Sequence, residues 1–248
     1  MKKKLIAKLI PLIIFLIFAI LFIIKFGGAQ LLKLYINTGV GNCEQIPILC
    51  MATQEEIINP PINKDYILEL TRFDFEKPKL EIFMPKNFMV QKGDVKEVYF
   101  KRLKTRPRAS MAYLLYRKPN FFINLFPQLT KDKIKNDYDF LSRTMAAKTN
   151  SINNITDAFF VIIKGIFTPN LGEMKNLAMI KFNSEGKRGF INYNLAPSVN
   201  YFDCNMLNAR GEYFKLYITD NGSTLSLDKV FAIISTLNSD TNKAAKNH

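Results

Sequence analysis

LAMIKFNSEGKRGFINYNLAPSVNYFDCNMLNARGEYFKLYIT, residues 177–219, is the stretch whose reading decides the fold. Polar and apolar side chains alternate through Leu177–Phe182, Gly189–Tyr193, Val199–Leu207 and Glu212–Thr219, the period of a half-buried strand. The links Asn183-Ser184-Glu185-Gly186 and Asn208-Ala209-Arg210-Gly211 are too short for crossover helices and read as antiparallel hairpin turns. Asp220-Asn221-Gly222 ends the fourth strand. Ser226 then stands in the cap position of a closing helix that carries Leu227, Val230, Phe231, Ile233, Ile234 and Leu237.

Upstream, alternation predicts strands over Tyr66–Phe75, Lys79–Phe83, Val95–Leu103, Ala109–Tyr116 and Phe121–Phe126. Turn sequences separate them at Lys92-Gly93-Asp94, Thr105-Arg106-Pro107-Arg108 and Lys118-Pro119-Asn120. Two helices lie between the strand groups. Thr130 is placed to cap the first, with Ile134, Tyr138, Leu141 and Met145 on one stripe. Asn154 is placed to cap the second, which bears Phe159, Phe160, Ile162, Ile163 and Ile166 and ends before Pro169. Strands, two helices, more strands and one helix define an α+β protein, an antiparallel sheet covered by helices. The entry Leu80-Glu81-Ile82-Phe83-Met84-Pro85-Lys86-Asn87-Phe88, with the meander closing into Leu227–Leu237, resembles the PsbP-like sandwich domains over residues 66–238. That resemblance implies a fold and carries no functional residue with it.

The amino-terminal region has a different physics. Leu9 to Ile24 contains no polar side chain, and Lys8 and Lys25 can snorkel, so residues 5–26 reach the ~20 residues of a single transmembrane helix. Lys2, Lys3, Lys4 and Lys8 precede the run and only Lys25 and Lys33 follow it, which places residues 1–4 in the cytoplasm and exports the rest. A cleaved signal peptide is the competing reading, with Gly27 and Ala29 as the small residues, but the apolar core exceeds the usual ~7–15 residues. Gly39, Gly41, Pro47 and Pro60-Pro61 make residues 27–64 a juxtamembrane stem, with Glu55 and Glu56 suited to a short helical turn. Residues 65–238 form the exported domain, and 239–248 a disordered polar tail.

Composition excludes several chemistries. The chain of 248 residues has one histidine, His248, in that tail. Ser-His-Asp and Cys-His catalysis and His-ligated metals therefore lose their central group, and no cofactor motif is present. Of the net charge of +14, six lysines fall in the first 36 positions, which hold no acidic residue. The remainder is moderately basic. Cys43 and Cys50 bracket a six-residue loop that a disulfide would close in an oxidising compartment; free thiols, or pairing of either with Cys204, are the alternatives.

The sharpest local feature is Lys101-Arg102-Leu103-Lys104-Thr105-Arg106-Pro107-Arg108, whose five cations suit anionic lipid or an acidic protein partner, or simply a solvated turn. Nucleic acid would suit the same charges but not an exported domain. Ser226-Leu227-Asp228-Lys229 and Ser184-Glu185-Gly186-Lys187 match the Ser-x-x-Lys spacing of acyl-enzyme hydrolases, yet no Lys-Thr-Gly or Ser-Asp-Asn accompanies them. Phe121-Phe122 and Phe159-Phe160 suit either core packing or the lining of a cavity. The sequence thus predicts a membrane-anchored, extracytoplasmic, non-enzymatic domain that binds a partner or assembles in the envelope. The alternatives are a lipid- or small-ligand-binding module and, third, a hydrolase.

Overall fold

The 177–219 stretch folds into four strands, Leu177–Ser184, Lys187–Leu195, Val199–Asn208 and Tyr213–Asn221, paired in sequence order and antiparallel. They form half of a larger sheet. The structure is a computed structural model and describes residues 27–40, 43–51, 56–76, 79–86, 88–94, 97–102, 110–168, 177–222 and 224–239. The chain divides into two compact units, Met1–Met51 with Ala146–Phe167, and Ala52–Met145 with Thr168–His248.

In chain order the main elements begin with α1 (Gly28–Tyr35), β1 (Glu56–Ile58), α2 (Lys64–Leu68), β2 (Leu70–Glu76) and β3 (Lys79–Pro85). β4 (Phe88–Asp94), β5 (Glu97–Arg102), β6 (Met111–Arg117), α3 (Phe121–Leu125), α4 (Asp137–Ala146) and α5 (Ile155–Phe167) follow. The four strands of the meander are β7 to β10, and α6 (Leu227–Thr236) closes the chain. The large sheet has eight strands in the order β1-β7-β8-β9-β10-β6-β5-β4, and β2-β3 is a separate hairpin.

The protein is α+β, with a large sheet and helices as predicted. One edge departs from the antiparallel expectation, because β1 runs parallel to β7, with Ile57 opposite Phe182. The segment around Glu56, expected as a helical turn, is instead this short strand. Among the described residues no helix is long and apolar enough to cross a membrane, and the expected span 5–26 lies outside them.

In the second unit, one face of the large sheet carries Ile180, Phe182, Ile191, Phe202, Cys204, Met206, Phe214, Leu216 and Ile218, each at most 3% exposed. Leu80, Ile82 and Met84 of β3 and Val230, Ile233 and Ile234 of α6 belong to the same cluster. The hairpin and α6 therefore form the second layer, held together by reciprocal backbone bonds between Glu81 and Asn238. Burying a side chain such as Phe202 here is worth roughly 1.5–3 kcal/mol. Gly189 is required in β8, because a Cβ there would lie 2.1 Å from the carbonyl oxygen of Asn205. The turn after β7 places Glu185 and Gly186 at φ +46° and +75°, the left-handed pair of a tight hairpin.

Other predicted elements change as well, and the expected turn Lys92-Gly93-Asp94 lies within β4. Phe121–Phe126 looks like a strand by composition but forms the short helix α3. Asn120 turns the chain at φ +61°, and Asp137 Oδ1 accepts the Phe122 and Ile123 amides at 2.9 and 3.1 Å. The helix expected from Thr130 starts at Asp137 instead, since Lys133 sits at φ +66° and breaks the earlier 3₁₀ turn Pro127–Asp132. Thr130 bonds the Pro127 carbonyl, and Asn136 accepts the Asp139 amide. The strand expected from Tyr66 begins at Leu70, because Asn63 accepts the Tyr66 amide at 2.9 Å and caps α2.

In the first unit, α5 packs against α1 and the 3₁₀ turn Pro47–Leu49. Asn154 accepts the Asp157 amide at 2.9 Å, the capping expected of it. Ile36, Ile48, Leu49, Phe160 and Val161 are buried.

Candidate functional site

The second face of the large sheet does not repeat the apolar pattern of the first. Strand register aligns Met179, Asn192, Asp203, Tyr217, Tyr113 and Tyr99 in one row across β7, β8, β9, β10, β6 and β5. Asp203 is wholly buried, and Lys215 Nζ approaches its Oδ1 at 3.1 Å. Its Oδ2 accepts the amides of Asn205 at 2.9 Å and Asn192 at 3.3 Å. Tyr213 donates to Asn205 Oδ1 at 2.7 Å, which extends the network by one strand. A desolvated carboxylate is tolerated in such a place only because a cation and two amide donors meet it. Asn192 Oδ1 is buried and accepts no hydrogen bond among the described residues.

Part of this face is covered. Tyr138 of α4 stacks on Phe190 at 6.4 Å, and Phe122 of α3 meets Tyr213 edge-on at 4.8 Å. Arg188 lies 3.9 Å over the Tyr138 ring. Met145 Sδ is 4.0 Å from the Asn192 amide. Burial pushes the Tyr217 hydroxyl up to about 12, helped by nearby Tyr201 and Asp203, so it stays a neutral donor.

Toward β4 the face opens. Met89, Tyr99 and Met111 are 52%, 44% and 53% exposed on three adjacent strands. Lys101 stands opposite both Met89 and Met111, and the Tyr99 and Tyr113 rings pack at 4.9 Å. The result is a contiguous strip of aromatic and thioether side chains with a cation at its centre.

Of the residues singled out in the sequence, Lys101 belongs to this strip and Arg102 ends β5. Lys104, Arg106 and Arg108 lie outside the described residues. Cys43 and Cys50 are placed in bonding position with Cα atoms 5.6 Å apart, and buried Thr149 contacts both sulfurs. Cys204 is buried in the core, where burial raises its thiol well above the ordinary range.

The Ser-x-x-Lys pairs do not form a catalytic dyad. The Ser226 hydroxyl donates to the Asp228 carboxylate rather than capping α6, and Lys229 donates to the Thr224 carbonyl at 3.0 Å. Ser184 and Lys187 flank the β7–β8 turn, and Lys187 donates to the Ser235 carbonyl. Phe122 and Phe160 are buried, in line with core packing. Two grooves among the described residues are open to solvent and lined by polar and apolar groups alike. One groove of about 460 Å³ is lined by Asn120, Asn136, Tyr138, Arg188 and Leu207 among others.

Sequence reasoning missed two groups. Asp203, Asn205 and Lys215 alternate with apolar residues and so read as solvent-facing; nothing local reports that helices cover them. Lys164, in the first unit, sits fully buried in an apolar helix and donates to the carbonyls of Ala147 at 2.9 Å and Met51 at 3.3 Å. Burial, with nearby Lys148, lowers its amine to about 7. The signal was available: a lone lysine on the apolar stripe of α5.

No known protein family matches the chain, and no curated protein is similar to it.

Proposed function

We propose that this protein is a single-pass, membrane-anchored binding module, held by residues 5–26 with the domain from 65 to 238 outside the cytoplasm. The reading is non-enzymatic, and binding uses the open end of the second sheet face. The observation that carries it is the strip Met89, Tyr99, Lys101 and Met111, because soluble domains rarely leave neighbouring large apolar side chains in water without a use. The unbroken apolar run Leu9–Ile24 supports the anchor, and the lysines before it support the orientation. The bonding position of Cys43 and Cys50 agrees with an oxidising compartment.

Topology is tested by proteolysis of intact cells or spheroplasts: sites beyond Gly41 are cut from outside while a cytoplasmic control is spared. Protection until lysis reverses the orientation. Peptide mapping without reductant should recover Cys43 and Cys50 in one linked fragment, and two alkylated free thiols would refute the bridge. Charge reversal at Arg106 and Arg108 weakens binding to anionic liposomes; unchanged binding leaves that segment as a solvated turn.

A second reading, a small polar ligand in the groove beside Arg188, is favoured by the volume of that groove. Equilibrium dialysis against a panel of small anions and amino acids tests it, with Arg188→Ala as the control.

A further inference from the structure

The strip at the open end of the sheet also indicates what it meets. Resting on the anchored reading above, we infer that Met89, Tyr99, Lys101 and Met111 form a contact surface for the anionic headgroup layer of the bilayer that holds the chain. Three observations point there.

The residue types are those of an interface. Tyrosine has an apolar ring and a polar tip and settles at headgroup depth, and methionine is flexible enough to fill uneven apolar space. Lys101 lies between Met89 and Met111 in the strand register, where its stem can follow the apolar surface while its ammonium reaches a phosphate.

Size also decides. Three exposed side chains and the half-buried Lys101, on three strands, fall far short of the roughly 20–30 residues a side of a stable protein interface. A tethered domain needs no such area. The 38 residues of the stem, 27–64, keep it close to the membrane, so the second contact forms at the high effective concentration of an intramolecular event.

Charge has the right sign. From Lys101 to Ser110 the chain contains Lys101, Arg102, Lys104, Arg106 and Arg108 and no acidic residue, and this segment links β5 directly to β6. Anionic lipid attracts such a cluster, whereas a neutral bilayer does not.

The test uses the full chain reconstituted in nanodiscs of phosphatidylcholine alone or mixed with phosphatidylglycerol. Methionine oxidation by dilute peroxide is read by mass spectrometry, with buried Met145 and Met206 as internal references. Oxidation of Met89 and Met111 should fall several-fold in the anionic discs. High salt and Lys101→Glu should each restore it, while the references stay constant.

Equal oxidation in both disc types, in a chain that floats with the discs, overturns the proposal and leaves the anchor standing. A chain that does not float with the discs overturns the anchor and this proposal together. Protection by polyglutamate in neutral discs, with none from anionic lipid, assigns the strip to an acidic protein and likewise overturns it.

Discussion

The two faces of the eight-stranded sheet share the same strands yet solve burial in opposite ways. The inner face, under β2, β3 and α6, is apolar over most of its area, with buried Asn200 and Asp220 at one end, and its stability comes from area and close packing. The outer face buries Asp203, Asn192 and Asn205 with Lys215 and Tyr213, then opens into Tyr99 and Met111. Hydrophobic burial adds up side chain by side chain, whereas a polar network holds only while its members are together. Both faces therefore contribute to stability, the inner by area and the outer by a network that fails as a unit. At the open end of the outer face Tyr99 and Met111 meet water.

The sharpest way to break this contrast is on the inner face. Phe202→Ala should cost about 3–5 kcal/mol in denaturant melts, the range for an aromatic lost from a packed core. A loss under about 1 kcal/mol would mean that the core is looser than its burial implies.

On the outer face, Lys215→Met leaves Asp203 buried without its cation, and should cost roughly 3 kcal/mol. Asp203→Leu alone should cost a similar amount. Their combination should cost less than the sum by at least about 1 kcal/mol, since the two charges are lost together. Strict additivity in the double-mutant cycle would refute the network.

Lys164 carries the contrast into the first unit. Its amine is lowered to about 7 in the folded protein, against the ordinary 10.5 of an unfolded lysine. Between those values the unfolded lysine binds the extra proton, so the contribution of Lys164 to stability should rise as pH climbs from about 7 toward 10.5. Below that window both states are protonated and the dependence should flatten. Thermal melts of the wild type and Lys164→Met across this range test it: the difference between the two should grow from about pH 7 upward, while buried Lys187, Cys204 and Tyr213 contribute equally to both.

The smallest effect is expected at the open strip. Tyr99→Ala and Met111→Ala should each cost no more than about 1 kcal/mol, because both side chains are about half exposed and lose at most a cross-strand contact. A large loss at either would show that the strip is structural.

How much of this was legible follows the same division. The strands of the meander read correctly because period-two alternation and left-handed turn residues such as Glu185-Gly186 are local signals. Phe121–Phe126 misled because its strand-like composition is overruled by Asp137, distant in sequence, which caps α3. Lys133 at φ +66° separates the 3₁₀ turn from the helix, so the stripe that looks helical from Ile134 becomes helical only at Asp137. β4 was missed because Lys92-Gly93-Asp94 reads as a turn, while the edge strand runs through it after a bulge between Val90 and Lys92. At the candidate site, Lys101 was visible through its charge. Tyr99 and Met111 were not, because alternation reports that a residue leaves the inner face and not whether something else covers it.

The parallel strand at the far edge has a consequence for assembly. β1 offers three residues, and Asn59 at φ +48° and the pair Pro60-Pro61 close it immediately, so an incoming chain finds almost no backbone to pair with. The opposite edge, β4, runs for seven residues. In the eight-stranded sheet, a strand added from another chain would therefore have to pair along β4.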